Sequence, residues 1–360
     1  MKYLIYIAHP AQFYLFRKIS NELIKKNHDV EIVIRNKDIL KDLCELSSLS
    51  YNYELPERSK SSGYLVLFGE FIKRFFALFR IIKQIHPNLL IGSEITLPLL
   101  GKVFRIPSII FSEDDIDIIP QFGKLAYPFT NAILSPHSCD AGKWAHKKVG
   151  YHGSQKLAYL HPNSFNPDRQ KVPTNKNYFV LRFSHLMAYH DRNMLGINGS
   201  VAKKIIEILE PHGDIFISSE GELAEEFKKY KLKINPLDIH HLISFADLFI
   251  GDSQSMAVES SFLGTPSIRF NDFAGKIGIL EELEKKYGMT YGISTNNPEE
   301  FYAKIKEILN LKKSNEFQTR YSTLRKDKID VIKFFIWFLE NYPESFNIMK
   351  HNPNYQFNFK

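Results

Sequence analysis

Short apolar runs, each followed by a longer stretch with helical periodicity, constrain the fold of this chain more than any other feature. Tyr3–Ala8, Val30–Ile34, Asn88–Ile91, Ser108–Phe111 and Ala132–Leu134 are such runs, separated by helical patterns at Phe13–Lys26 and Tyr64–Ile85. A strand that is apolar throughout must be covered on both faces, so the alternation predicts parallel sheets with helices on either side. Between Pro136 and Pro173 the chain is richer in His, Pro, Asn, Gly and Lys and lacks a long periodic run, which reads as a crossing between domains. The pattern then restarts with Tyr178–Arg182, Asp214–Ser218, Leu248–Ile250 and Ser267–Phe270, with helices expected at Val201–Leu209, Glu222–Tyr230, Leu242–Ala246 and from Met256. The expectation is two open α/β domains in series, residues 1–160 and 161–325, facing a central cleft. The remainder, 326–360, is expected to return to the first domain through the helix Ile329–Leu339. In such sheets ligands bind beyond the carboxyl ends of the strands.

Composition excludes several classes. With 360 residues, 44% hydrophobic and 24% charged, the chain can bury more than one core. No apolar run reaches the roughly 18–20 residues that a membrane span needs. The opening Met1–Ala8 is cut short by His9-Pro10 and reads as a first strand, not as a secretory segment. Cys44 and Cys139 show no metal-ligand spacing, so no metal is expected and a reducing cytoplasm is the expected location. The formal charge of +7 is spread through lysine-rich helices without an arginine cluster, which argues for solubility and against a nucleic-acid partner.

The densest chemistry lies in Gly251-Asp252-Ser253-Gln254-Ser255-Met256-Ala257-Val258-Glu259, where an apolar strand turns into a helix. Unpaired amides and the helix dipole favour an anion at such a point, Gly251 permits a tight turn, and Ser253, Gln254 and Ser255 add short donors. Glu259, about one turn into the helix, could accept hydrogen bonds from ribose hydroxyls. The plainer reading makes Ser253 or Ser255 a helix cap.

This run, with Leu263-Gly264-Thr265-Pro266 and Arg269 behind it, resembles the nucleotide-diphosphate segment of non-hydrolysing UDP-N-acetylglucosamine 2-epimerases and their GT-B glycosyltransferase relatives. The whole chain looks like the family known as domain of unknown function 354. That likeness is carried by His9-Pro10-Ala11, Leu157–Asn163, Ile217–Leu223 and the Gly251 stretch, and spans most of residues 1–310. The resemblance implies two Rossmann-like domains in a GT-B-like arrangement, with no metal or other cofactor.

Other candidates sit where strands end. His9 is either a satisfied turn residue ahead of Pro10 or a base near neutral pH; relatives use this turn for the sugar or acceptor, in glycine-rich or arginine-bearing versions that are missing here. Glu113 and Asp114 follow Ile109-Ile110-Phe111 and are either a solvated acidic loop or a general base. Glu94 loosely matches an acidic epimerase loop. Arg182 could neutralise a phosphate, and His185 lies about where the epimerases carry a histidine. Ser219 and Glu220 could hold the base or ribose, while Glu222 suits a capping box. One of His240 and His241 could contact a base, or both simply begin a helix. Tyr64–Ile85 combines five phenylalanines with Lys73, Arg74, Arg80 and Lys83; it reads first as a helix covering the sheet, and otherwise as a basic aromatic face resting on the inner side of a membrane.

The expected activity is metal-independent glycosyl transfer from a nucleotide-diphosphate sugar, a UDP-sugar favoured, to a glycan or lipid-linked acceptor in cell-surface polysaccharide synthesis. His9, Glu113 and Asp114 are the candidate catalytic groups. The donor would be held by Arg182, His185, Ser219, Glu220, Gly251, Ser253, Gln254, Ser255 and Glu259. The alternatives are epimerisation at carbon 2 of a UDP-amino sugar, with Glu94, Glu113 and His185 as acid and base, and nucleotide-sugar binding without catalysis.

Overall fold

The computed structural model describes the chain except for residues 37–38, 56–63, 184–196, 220–221 and 312–313. Its described residues divide into two compact units, Met1–Tyr159 with Ile329–Lys360, and Leu160–Lys328.

In the first unit the apolar runs become strands β1 (Lys2–Ile7), β2 (Asp29–Arg35), β3 (Tyr53–Leu55), β4 (Leu89–Gly92), β5 (Ser108–Phe111), β6 (Ala132–Pro136) and β7 (Lys148–Tyr151). They form one parallel sheet in the order β3-β2-β1-β4-β5-β6-β7. Strand alternation sends Leu4, Tyr6 and Leu90 to one face, where they pack with Leu78, Ile82, Leu97 and Leu100 of helices Tyr64–Ile85 and Thr96–Phe104. The other face meets helices Phe13–Lys25 and Val331–Glu340: the Phe111 ring lies 5.6 Å from Phe16 and 5.1 Å from Phe335, centroid to centroid. The C-terminal segment is tied down by its backbone, Ile329 N donating to His152 O (3.0 Å) and Asp330 N to Phe359 O (2.7 Å).

The second unit holds β8 (Tyr178–Phe183), β9 (Asp214–Ser219), β10 (Leu248–Gly251), β11 (Ser267–Phe270) and β12 (Thr290–Ile293), all parallel, in the order β12-β11-β10-β8-β9.

Three expectations are corrected. The stretch read as a crossing does contain the division between the units, at Tyr159 and Leu160, but its first part also holds β7, which is only four residues long. Glu222–Tyr230 is a 3₁₀ segment over Glu225–Tyr230, preceded by Ala224; no side chain caps it, so the capping box expected of Glu222 does not form. The helix expected at Leu242–Ala246 runs Ile239–Ser244.

Candidate functional site

The order of the second sheet reverses between β8 and β10, since β9 lies on one side of β8 and β10 on the other. A crevice opens beyond the carboxyl ends of the strands at such a point. Arg182 and Gly251 stand opposite each other there, and Arg182 pairs with Ser218 on its other side. A Cβ on Gly251 would lie 2.6 Å from the Arg182 carbonyl oxygen, so the close approach of the two strands requires glycine. Arg182 Nη1 donates to Ser218 Oγ (2.7 Å), which orients the guanidinium along the strand ends. Ser219, partly buried, ends β9 beside Phe183.

From Gly251 the chain enters the ten-residue helix Gln254–Leu263. Ser253 is its N-cap, with extended backbone and its Oγ accepting from Met256 N (3.4 Å), so this serine does cap the helix. The amides of Gln254 and Ser255 stand in the first turn, where intrahelical acceptors are lacking. Gln254 Oε1 accepts from Arg269 Nη1 (3.4 Å), and Asn271 Nδ2 donates to Asp252 O (3.3 Å), bracing the turn from β11 and its end. Arg269 is itself fully buried, with Nη2 3.1 Å from Glu284 Oε2, an oxygen that also accepts from Gly292 N (2.9 Å). Burial lowers the Arg269 pKa and raises that of Glu284, and their mutual attraction opposes both shifts. Gly264 ends the helix in the left-handed conformation, at φ 91°.

Glu259 is buried, its Oε2 3.4 Å from His240 Nε2, so helices Gln254–Leu263 and Ile239–Ser244 meet through a polar contact. His241 points elsewhere: its Nδ1 accepts from Asp168 N (2.9 Å), and burial, with Lys171 nearby, lowers its pKa. His185 and Glu220 lie outside the described residues.

In the first unit the order reverses between β1 and β4, which brings the residues after Ile7 and Gly92 side by side. His9 is exposed, and its Nδ1 accepts from Ala11 N (3.2 Å) to cap the short turn Pro10–Gln12. Glu94 Oε2 accepts from Thr96 N (2.6 Å) and from the Thr96 hydroxyl, which closes the start of helix Thr96–Phe104.

The two neighbouring carboxylates after β5 have different surroundings. Glu113 Oε2 lies 2.9 Å from Lys156 Nζ, with both side chains nearly buried. Its Oε1 accepts from Ser154 Oγ (2.6 Å) and from Gln155 N. Asp114 is exposed, yet desolvation by the surrounding chain, followed by the repulsion of Glu113, raises its pKa while Lys156 opposes the shift. Lys156, Ser154 and Glu284 were not foreseen, because their partners are distant in sequence and no local spacing signals the pairing. Among the described residues no group of His, Cys, Asp and Glu side chains is arranged to hold a metal ion, and no helix is long and apolar enough to cross a membrane.

Solved structures share this fold. UDP-GlcNAc 2-epimerase from Methanocaldococcus jannaschii aligns at TM-score 0.64 and 16% identity, over 90% of this chain and 99% of its own. UDP-GlcNAc 2-epimerase from Neisseria meningitidis, bound to UDP-GlcNAc, aligns at 0.62 and 13%, over 91% and 100%. A spinosyn rhamnosyltransferase complexed with spinosyn aglycone aligns at 0.60 and 13%, over 95% and 100%. At these identities the likeness establishes the fold: two Rossmann-like units, as in GT-B glycosyltransferases and the epimerases. No curated protein matches the chain in sequence. The family described as "Protein of unknown function (DUF354)" matches residues 1–277, more than half of the chain, and the protein belongs to that family.

Proposed function

We propose that the protein binds a nucleotide-diphosphate sugar, a UDP-sugar first among them, at the carboxyl ends of β8, β9 and β10, and transfers the sugar to an acceptor hydroxyl. The observation that supports this reading is the juxtaposition of Arg182 with the glycine turn and helix start at Gly251–Ser255, at the point where the strand order reverses. A guanidinium and first-turn amides suit a diphosphate, and their attraction grows as the departing diphosphate gains charge. Glu259 would accept from ribose hydroxyls at the helix wall.

The first unit supplies the proton acceptor, which we assign to Asp114. Glu113 is occupied by Lys156, Ser154 and Gln155, whereas Asp114 is accessible and its carboxyl pKa is raised above the ordinary aspartate value by desolvation and by its acidic neighbour. The acceptor hydroxyl gives its proton to Asp114, its oxygen bonds to the sugar's anomeric carbon, and the bond to the diphosphate breaks with the electron pair leaving on the phosphate oxygen. Epimerisation at carbon 2 is the second reading, supported by the fold shared with an epimerase bound to UDP-GlcNAc.

The test is a thermal-shift screen of UDP, GDP, CMP and ADP and their sugars on wild type and Glu259→Gln. A ligand at a hundredfold its Kd adds about 2.7 kcal/mol to the stability of the folded form. The expected result is stabilisation by a uridine nucleotide that weakens in the variant; no shift with any nucleotide overturns the donor site. Incubation with the stabilising sugar nucleotide alone then separates the readings, since an epimerase converts it without an acceptor.

A further inference from the structure

The two faces of the first sheet are finished differently. On one, Val331–Glu340 packs with Phe13–Lys25. On the other, helices Tyr64–Ile85, Thr96–Phe104 and Pro120–Ala126 lie in sequence, each touching the next, with their outer surfaces exposed.

That outer surface is unusual in two respects. Phe68 (64% exposed), Phe76 (55%), Val103 (57%) and Leu125 (53%) project from it, with Phe129 at its edge. Grouped exposed side chains of this size mark a contact surface, whereas single ones need no explanation. The same helices carry Lys73, Arg80, Lys83, Lys102 and Lys124, with Arg105 at the C-cap of the second, all exposed, and Glu70 is the one acidic residue in these helices. On Tyr64–Ile85, Leu78, Ile81, Ile82 and Ile85 point to the sheet, while Lys73, Phe76, Arg80 and Lys83 fall on the opposite side at the helical repeat. Positive charge outnumbers negative on these helices, and a neighbouring lysine feels it: burial, and then repulsion from Lys102, lower the pKa of Lys147, whose Nζ is held by the carbonyls of Tyr127, Pro128 and Thr130.

We propose that this three-helix face docks on an anionic lipid surface. Aromatic rings enter the headgroup boundary while lysine and arginine stems lie along it with their charges toward the phosphates. The charge pattern favours this occupant, because an apolar protein partner or a second copy of the chain would bring the same cations together without compensation. The contact is peripheral, since no helix among the described residues is long and apolar enough to cross a membrane.

The test is flotation of the full chain with vesicles of phosphatidylcholine alone and of phosphatidylcholine mixed with phosphatidylglycerol. Binding is expected with the anionic vesicles, weakening as salt rises. At about 1 kcal/mol, or roughly fivefold, per cation near the surface, Lys73→Gln with Arg80→Gln lowers partitioning roughly 25-fold. Phe76→Ser lowers it while leaving the salt dependence intact. All three positions are outward-facing, so unchanged circular dichroism and melting are expected to accompany the loss. Lys231→Gln with Lys306→Gln, exposed in the second unit, removes equal charge and should leave partitioning unchanged. The proposal is overturned if anionic vesicles fail to bind the protein, or if the control variant loses as much as the face variant. A Phe76→Ser protein that only dissociates a dimer would assign the face to self-association instead. None of these substitutions touches the nucleotide site, so either proposal can fail without the other.

Discussion

Replacing Gly251 with alanine probes the packing on which the nucleotide turn rests. The added Cβ would stand 2.6 Å from the Arg182 carbonyl oxygen and 3.1 Å from the Arg182 Cβ. Arg182 cannot swing aside, because its backbone is paired to Gly251 on one side and to Ser218 on the other. Either β8 and β10 separate or Gly251 tilts out of register, and overpacking of this kind costs about 1–3 kcal/mol. For a unit of this size each kcal/mol moves the melting point by about 2–4 °C, so a fall of roughly 2–12 °C is expected in the transition of the second unit. Calorimetry of wild type and variant reads the shift directly. Gly199→Ala is the control: its added Cβ has nothing within 4 Å and it opens helix Gly199–Leu209, so a gain of about 0.4–1 kcal/mol is expected from the stiffer unfolded chain. The reasoning is refuted if Gly251→Ala melts with the wild type, or if both glycines respond alike. Because the turn at Asp252 and Ser253 follows directly, affinity for the stabilising nucleotide should fall with the melting point.

Two further outcomes test the carboxylates and a histidine. Lys156→Met strands the nearly buried Glu113 and is expected to cost about 3–5 kcal/mol, while Glu113→Leu on that background costs less than it does alone; a double-mutant cycle by urea unfolding should give a coupling of roughly 0.5–3 kcal/mol, and zero coupling would refute the pairing. His241 has a folded pKa below its unfolded value of 6.5, so unfolding takes up a proton in acid; stability present above that pH is lost as pH falls toward the folded pKa, and a nuclear magnetic resonance titration placing His241 at or above 6.5 would contradict this.

Much of the fold was legible because burial on both faces leaves a strong mark. β1 and β10 are apolar runs whose residues are nearly all buried, and both stand out in the sequence. β7 and β12 are four residues each and each contains a glycine; β7 alternates over only two periods and β12 not at all, so little local distinguishes them from loop. The turn at Gly251 was visible because glycine before short polar residues at a strand-to-helix junction has a local physical cause. The bracing of that turn by Arg269, Glu284 and Asn271 was not, since each partner arrives from a different strand or helix.

The sequence by itself determined the alternation of buried strands and covering helices and a serine cap at the start of the helix after Gly251, because each depends on residues within one turn or one strand; the need for glycine at 251 comes from the approach of Arg182 on a neighbouring strand. Only the tertiary structure decided the strand order, and with it the points at which Arg182 meets Gly251 and Gly92 meets Tyr6. It also separated two adjacent carboxylates that look alike in sequence. Glu113 is claimed by Lys156 and Ser154 while Asp114 stays open, since charge pairing and desolvation are set by whichever groups the fold brings near, however distant they lie along the chain.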